Sequence, residues 1–443
     1  MPGESGSRSR VPVLLVLIGA LLAVFAVTGF LNSETGTIDT ADNPAAAQAP
    51  RASALADLIY RAQESLRRNP DDALLWAQLG AAYVEQARVT GDPSYYSRSQ
   101  DALDRSFQVQ PDGNGEALIG RGQLANARHD FAGARGFGEQ ARALRPFTPE
   151  VYGVLADAYT QLGDPTAATA AVQQMLNVRP GLAAFTRASY DLELHGRPDE
   201  ARAAMERALG VAASPDDVAF CRYFLGELAW NAGRVDEAAA QYERGLAASP
   251  QNVALLQGRA KIAAAQGRVD EALAGYRDIT TRTPLPQYLL EYGELLEATG
   301  RVGEAAAQYE VLAIQQQLYV AQGSIDDQVA ALIAADHGDP VEALRLAEAE
   351  WARRQSMFSA DALGWALHVN GRHAEALTYA DRATALGWRN AGYGYHRGMI
   401  LAALGRDADA LAALRESVAI NPHFNPLQAP AARARIADLE AGA

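Results

Sequence analysis

Histidines, carboxylates and a single cysteine are the groups in this 443-residue chain that could make or break bonds or hold a metal. No H-E-x-x-H pair occurs, so two histidines and a base are never set on one helix face as zinc hydrolysis requires. His368 and His373 lie five residues apart across Gly371 and cannot act together as i,i+4 ligands. Residues 392–398, GYGYHRG, hold three glycines at GxGxxxG spacing with no strand before them, so a dinucleotide loop is excluded. Neither G-x-x-x-x-G-K-[ST] nor G-x-S-x-G is present. The lone Cys221 excludes an intramolecular disulfide, a CxxC redox pair and a cysteine-built zinc site. Its expected role is to pack as a small apolar group. The expectation is a chain without catalytic residues, metal or cofactor.

Charge narrows the partner. Lys and Arg total 39 against 53 Asp and Glu, a net charge of −14, and Lys261 is the sole lysine. Nucleic acid is excluded, because neutralising phosphates takes clustered Lys and Arg. With 49% hydrophobic residues the chain has the apolar content to fold.

The elements that must position these groups are written as one recurring phrase. It reads GDPTAA at 163, GRPDEA at 196, GRVDEA at 233 and 267, GRVGEA at 300, GDPVEA at 338, GRHAEA at 371 and GRDADA at 405. The intervals are 33, 37, 34, 33, 38, 33 and 34 residues. Each glycine stands where a first helix must stop, since it tolerates the left-handed conformation of a helix C-terminus. The polar residues that follow restart the chain as a second helix. Five residues after each glycine comes a small alanine (Ala168, Ala201, Ala238, Ala272, Ala305, Ala343, Ala376, Ala410) that lets the two helices approach. Four further on, the same face carries Val172, Met205, Tyr242, Tyr276, Tyr309, Ala347, Ala380 or Leu414. Pro146, Pro180, Pro250, Pro284 and Pro422 then block continuation of the second helix.

Ahead of the repeats, residues 11–31 (VPVLLVLIGALLAVFAVTGFL) carry no charge over twenty-one positions. At about 1.5 Å per residue they match the ~30 Å apolar core of a bilayer. A cleavable signal peptide has a shorter apolar region, and no A-x-A site follows directly, so an uncleaved transmembrane anchor is expected. Arg8 and Arg10 precede the span and Glu34, Asp39 and Asp42 follow it, which places residues 1–10 in the cytoplasm and the remainder outside. Residues 32–52 read as a flexible tether.

A 34-residue period of helical hairpins resembles the tetratricopeptide repeat, and the whole chain resembles bacterial membrane-anchored proteins of that kind. Two upstream units fit the pattern. Trp76, Leu79, Gly80 and Tyr83 match W-x-x-L-G-x-x-Y, with residues 88–99 read as an insertion carrying Tyr95 and Tyr96. The next unit has His129 where glycine is usual. About ten units are expected over 53–428, followed by a capping helix over 429–443 with Leu427, Ile436 and Leu439 as its apolar stripe.

The resemblance implies an all-α solenoid, a right-handed superhelix whose concave face is lined by first helices. On that register the groove-facing residues are Tyr190, Glu193, Phe220, Tyr223, Glu227, Trp230, Trp365 and Tyr395. Lys261, Glu294, Glu297, Asp361 and His368 join them. Such a face is aromatic and acidic, suited to a protein or peptide partner of basic character. The competing expectation for each aromatic is that it packs against the next repeat. Members that clamp acidic C-termini use Lys and Arg in the groove, which Lys261 alone does not supply. The function implied is a non-catalytic scaffold at the cell membrane, or an accessory subunit of a membrane enzyme, transporter or envelope-assembly complex.

Overall fold

A computed structural model describes residues 51–325 and 327–442. The 11–31 segment, the residues before it and most of the 32–52 tether lie outside the described residues, although Arg51 and Ala52 already belong to a helix. Among the described residues there are 22 helices and no strand, and no helix is long and apolar enough to cross a membrane.

Helix α1 (Arg51–Arg68) precedes ten helical hairpins. The first three pair α2 (Ala73–Thr90) with α3 (Ser94–Val109), α4 (Gly115–Ala127) with α5 (Phe131–Leu144), and α6 (Pro149–Leu162) with α7 (Pro165–Val178). The fourth and fifth pair α8 (Leu182–Leu194) with α9 (Pro198–Gly210), and α10 (Pro215–Asn231) with α11 (Val235–Ala248). Hairpins six and seven are α12 (Val253–Ala265) with α13 (Val269–Arg282), and α14 (Pro286–Ala298) with α15 (Val302–Ala321). Hairpins eight to ten are α16 (Asp327–His337) with α17 (Pro340–Arg353), α18 (Met357–Val369) with α19 (His373–Thr384), and α20 (Ala391–Ala403) with α21 (Asp407–Ile420). Helix α22 (Gln428–Ala441) closes the array, burying Ala429, Ala432 and Leu439 with Ile436 partly covered.

Local chemistry accounts for the hairpin. Seven of the eight phrase glycines have a positive φ, from 68° at Gly196 to 80° at Gly163. Gly338 does not, so the expectation of a left-handed stop fails there; α16 ends one residue earlier at His337. His129 takes the left-handed conformation at φ 62° in place of glycine, a strain of about 1 kcal/mol. Where Asp130, Asp164 or Asp339 opens the second helix, its carboxylate accepts a backbone N–H of the first turn. Where Arg opens it, the guanidinium instead pairs with the acid three residues on, as in Arg197–Glu200, Arg234–Glu237, Arg301–Glu304 and Arg372–Glu375. All eight phrase alanines are buried at the crossing. The five prolines stand two residues beyond the ends of α5, α7, α11, α13 and α21.

The extra length read at residues 88–99 is taken up as helix and not as a loop: the first hairpin starts 42 residues before the second, with helices of 18 and 16 residues. Only residues 91–93 are non-helical there, and they are the ordinary turn of a hairpin whose first helix has 18 residues. Tyr96 is buried beside Tyr319, with ring centres 6.3 Å apart, and Tyr95 lies 5.9 Å from Tyr83.

The array coils back on itself along a seam. The turn of each of hairpins one to five touches the loop between hairpins five and six positions further on. Leu285 covers Gly91, and the Ile325 N–H donates to the Arg128 carbonyl at 2.9 Å. Arg354 donates to Gln161 at 2.6 Å while its guanidinium lies 4.8 Å from the Phe131 ring. Gly387 abuts Gly196, and Asn421 donates to the Trp230 carbonyl at 2.8 Å. Buried Arg354 also pairs with buried Glu350 and donates to Gln328, so the charge at the seam's centre has its partners.

The seam separates two substitutions that are locally alike. Gly163 (φ 80°) has the Gln355 backbone against it, whereas Gly405 (φ 70°) has open space. Gly405→Ala is expected to cost about 1 kcal/mol from backbone strain alone. Gly163→Ala adds the cost of overpacking, a further ~1–3 kcal/mol. Urea-denaturation midpoints of the two variants check this; equal losses would mean that the seam is not formed in solution.

Candidate functional site

First helices of neighbouring hairpins pack side by side on the inner face of the coil, and the polar residues there form two clusters. The first is built on α10, α12 and α14. Lys261 donates to both carboxylate oxygens of Glu227, at 2.8 and 2.9 Å, and sits 5.0 Å from the Trp230 ring centre. The Tyr242 hydroxyl donates to the same Glu227 at 2.5 Å. Beside them Glu291 accepts from Gln257 and from the Tyr276 hydroxyl. Burial raises the Glu291 carboxyl above the usual range, with Lys261 opposing. Close packing makes this arrangement possible: a β-carbon on Gly258 would lie 2.8 Å from the Tyr242 ring, and one on Gly226 would overlap it.

The second cluster is built on the end of α14, on α16, α18 and α20, and on the approach to α22. His396 Nδ1 lies 3.0 Å from both oxygens of Asp361, and all of these groups are buried. The Trp365 ring is sandwiched between His396, with centres 4.3 Å apart, and His368 at 4.9 Å. Trp365 Nε1 donates to Asp336 at 2.7 Å, and Gln428 donates to the other Asp336 oxygen at 3.1 Å. His337 stands 3.2 Å from Glu297 and 3.7 Å from Glu294. Asn425 donates to Glu294 at 3.0 Å.

Burial works against a charge on His396, but Asp361 outweighs it and raises the imidazole above its ordinary value. His337 is raised in the same way, by Glu294, against the effect of burial. His368 goes the other way: burial, with His373 and His396 nearby, pushes it down to about 4.

The sequence-derived groove residues divide between these clusters and the packing around them. Tyr223, Trp230, Trp365 and Tyr395 are buried, their faces taken up by Tyr242, Lys261, the two imidazoles and Phe424. Phe220 is half-buried against Phe224, with ring centres 4.6 Å apart. Tyr190 is half-buried, its hydroxyl raised by burial and by Glu193. Glu193 accepts from Asn231 at 2.9 Å, and burial raises its carboxyl. Glu227, Lys261 and Trp230 come together, as do Asp361, Trp365 and His368; Tyr190, Glu193 and Phe220 join neither cluster. Sequence reasoning missed Glu291, Asp336, His337 and His396. Glu291 was detectable, one helical turn before Glu294 on the same face. His396 stands inside GYGYHRG, where the glycine spacing is the more conspicuous signal.

Among the described residues no three His, Cys, Asp or Glu side chains are arranged so as to hold a metal ion. Cys221 is buried, and burial pushes its thiol up to about 12, which makes it a poor nucleophile. Chemically, the interior offers carboxylate acceptors and aromatic faces in a low-dielectric setting.

Comparison with known proteins agrees with the hairpin chemistry. One tetratricopeptide-repeat family profile matches residues 186–253 and 362–423, and another matches 229–289. The chain carries tetratricopeptide repeats. Cellulose synthase 1 operon protein C of Komagataeibacter xylinus is 25% identical over 237 residues, which are 54% of this chain and 15% of that protein. Among solved structures, a repeat protein of Thermus thermophilus is 23% identical with a TM-score of 0.37, covering 42% of this chain and 98% of its own. PilW, a type IV pilus biogenesis factor, is 21% identical with a TM-score of 0.38, covering 47% and 96%.

The raised His396 yields a pH signature. A histidine whose folded value exceeds its unfolded value stabilises fully below the unfolded value and ceases to do so as pH rises through the folded one. The advantage of wild type over His396→Gln in thermal unfolding is therefore expected to be largest below the ordinary imidazole value of about 6.5 and to shrink as the pH rises above it. An advantage that grows with pH would contradict the Asp361–His396 pairing.

Proposed function

We propose that the protein is a non-catalytic scaffold whose repeat array binds a protein or peptide partner of basic character. The observation that carries this reading is the acidic rim of the second cluster, where Asp336 is exposed and Glu297 is 37% exposed. Carboxylates at the edge of a low-dielectric interior attract cationic side chains more strongly than carboxylates on an open surface. Repeat solenoids bind through surfaces of this kind. The buried aromatics shape the interior, and the half-buried Tyr190, Glu193 and Phe220 leave part of their surface to a ligand.

Residues 11–31 would hold the scaffold in the membrane of a bacterial cell, with the repeats on the extracytoplasmic side. The length of the apolar run and the flanking arginines support this orientation. A second reading is an accessory subunit of a membrane-bound synthase or envelope-assembly complex. It draws on the likeness to the cellulose synthase operon protein over half of this chain. Stoichiometric co-purification with an integral-membrane enzyme would favour it over a free-standing scaffold.

Truncating Tyr223, Trp230 or Trp365 is a poor probe of binding, because loss of a buried aromatic costs about 3–5 kcal/mol of stability by itself. The informative variant is Asp336→Arg with Glu297→Arg. Cross-linking of the full chain in its native cells is expected to capture a basic partner that this double variant loses at least tenfold. Equal capture by both forms would remove the rim from the proposal.

A further inference from the structure

Half of the array's turns are covered and half are bare, although the phrase that writes turns three to ten is shared by both kinds. The turn glycines of hairpins one, three, four and five (Gly91, Gly163, Gly196, Gly233) each meet a loop from the far side of the coil. Those of hairpins six, seven, nine and ten (Gly267, Gly300, Gly371, Gly405) have nothing within 4 Å of a β-carbon built on them. The loops divide the opposite way. Those after hairpins six to ten are docked in the seam, whereas those after hairpins one to three are bare at Gly113, Phe147 and Gly181.

The two bare edges carry the most exposed large apolar side chains among the described residues. Phe147, in the loop after hairpin two, is 86% exposed, and Val341, at the start of α17 in the turn of hairpin eight, is 71% exposed. Val302, the first residue of α15 in hairpin seven, is 63% exposed. The docked counterpart shows what covers such a turn: Leu285, an apolar loop residue, lies on Gly91.

We propose that this chain associates head-to-tail with itself. The bare loops of one copy dock on the bare turns of the next and continue the intramolecular seam between molecules. The occupant is a second copy because the covering surface already exists within the chain, in the same turn-to-loop pairing. The register also follows. Within the chain, the turn of hairpin n meets the loop between hairpins n+5 and n+6. If α22 and the α1 of a second copy are counted together as one hairpin, the turn of hairpin eight faces the loop after hairpin two. That brings Val341 of one copy to Phe147 of the next. The contact is heterologous, using different surfaces on the two molecules, so it is open-ended rather than closing at a dimer. This inference rests on apolar side chains and not on the carboxylates of the partner-binding reading, so it stands without that reading even though Asp336 and Val341 flank the same turn.

Sedimentation velocity of the purified full chain is expected to show a coefficient that rises with concentration past the dimer. Phe147→Asp alone and Val341→Asp alone should each abolish that rise, with unchanged far-ultraviolet circular dichroism, because both side chains are exposed. Each variant keeps one good edge. An equimolar mixture of the two should therefore form a one-to-one complex and nothing larger. The proposal is overturned by a chain that stays monomeric at every concentration. It is equally overturned by association that survives both substitutions, as would follow from the apolar face of α15 or from residues 11–31, or by a mixture that does not associate.

Discussion

The close approach of two helices at a buried small residue is the contact from which everything else in this molecule follows. Ala168, Ala201, Ala238, Ala272, Ala305, Ala343, Ala376 and Ala410 sit at that crossing in eight hairpins, Ala134 sits at it in the second, and in the first the Ser99 hydroxyl donates to the Gly80 carbonyl at 2.8 Å. A larger side chain there would spread the hairpin, and each hairpin leans on the next. The spacing between neighbours, repeated ten times, sets the curvature of the whole coil. Curvature in turn decides whether distant hairpins meet.

They do meet. An open solenoid would present its first helices to solvent as a groove. Here the seam joins hairpins three and eight through Gln161 and Arg354, and hairpins five and ten through Trp230 and Asn421. Independently of the seam, side chains of the inner face find partners on the same or the adjacent hairpin. Lys261 takes Glu227, His396 takes Asp361, and Trp365 lies between two imidazoles. Burying ionisable groups is tolerable only because each has such a partner. The interior is polar and internally paired, with a few carboxylates left at its rim.

The hairpins were legible in the amino-acid pattern because the physics that makes them is local. A glycine that accepts a left-handed turn, an alanine five residues on and a proline past the second helix all act within one period of the chain. Where the local signal was ambiguous, the reading slipped. Residues 88–99 looked like an insertion because the phrase is altered around Gly91, and their extra length is taken up as helix on either side of an ordinary turn. Gly338 carried the phrase without the left-handed turn, and His129 took that turn without being glycine. The candidate site was read less well. Glu227 and Asp361 were placed on the inner face, but the ion pairs that hold them and the roles of Glu291, Asp336, His337 and His396 depend on helices tens of residues away.

From sequence alone came the helix–turn–helix period, the number of hairpins and the buried alanines, since each is fixed by contacts between residues close along the chain. Tertiary structure alone decided that the coil closes on a seam, that Tyr223, Trp230, Trp365 and Tyr395 are spent on packing, and that one edge of loops and one edge of turns are bare. Those outcomes depend on small angles between neighbouring hairpins that add up over five or six of them, and no single residue encodes the sum.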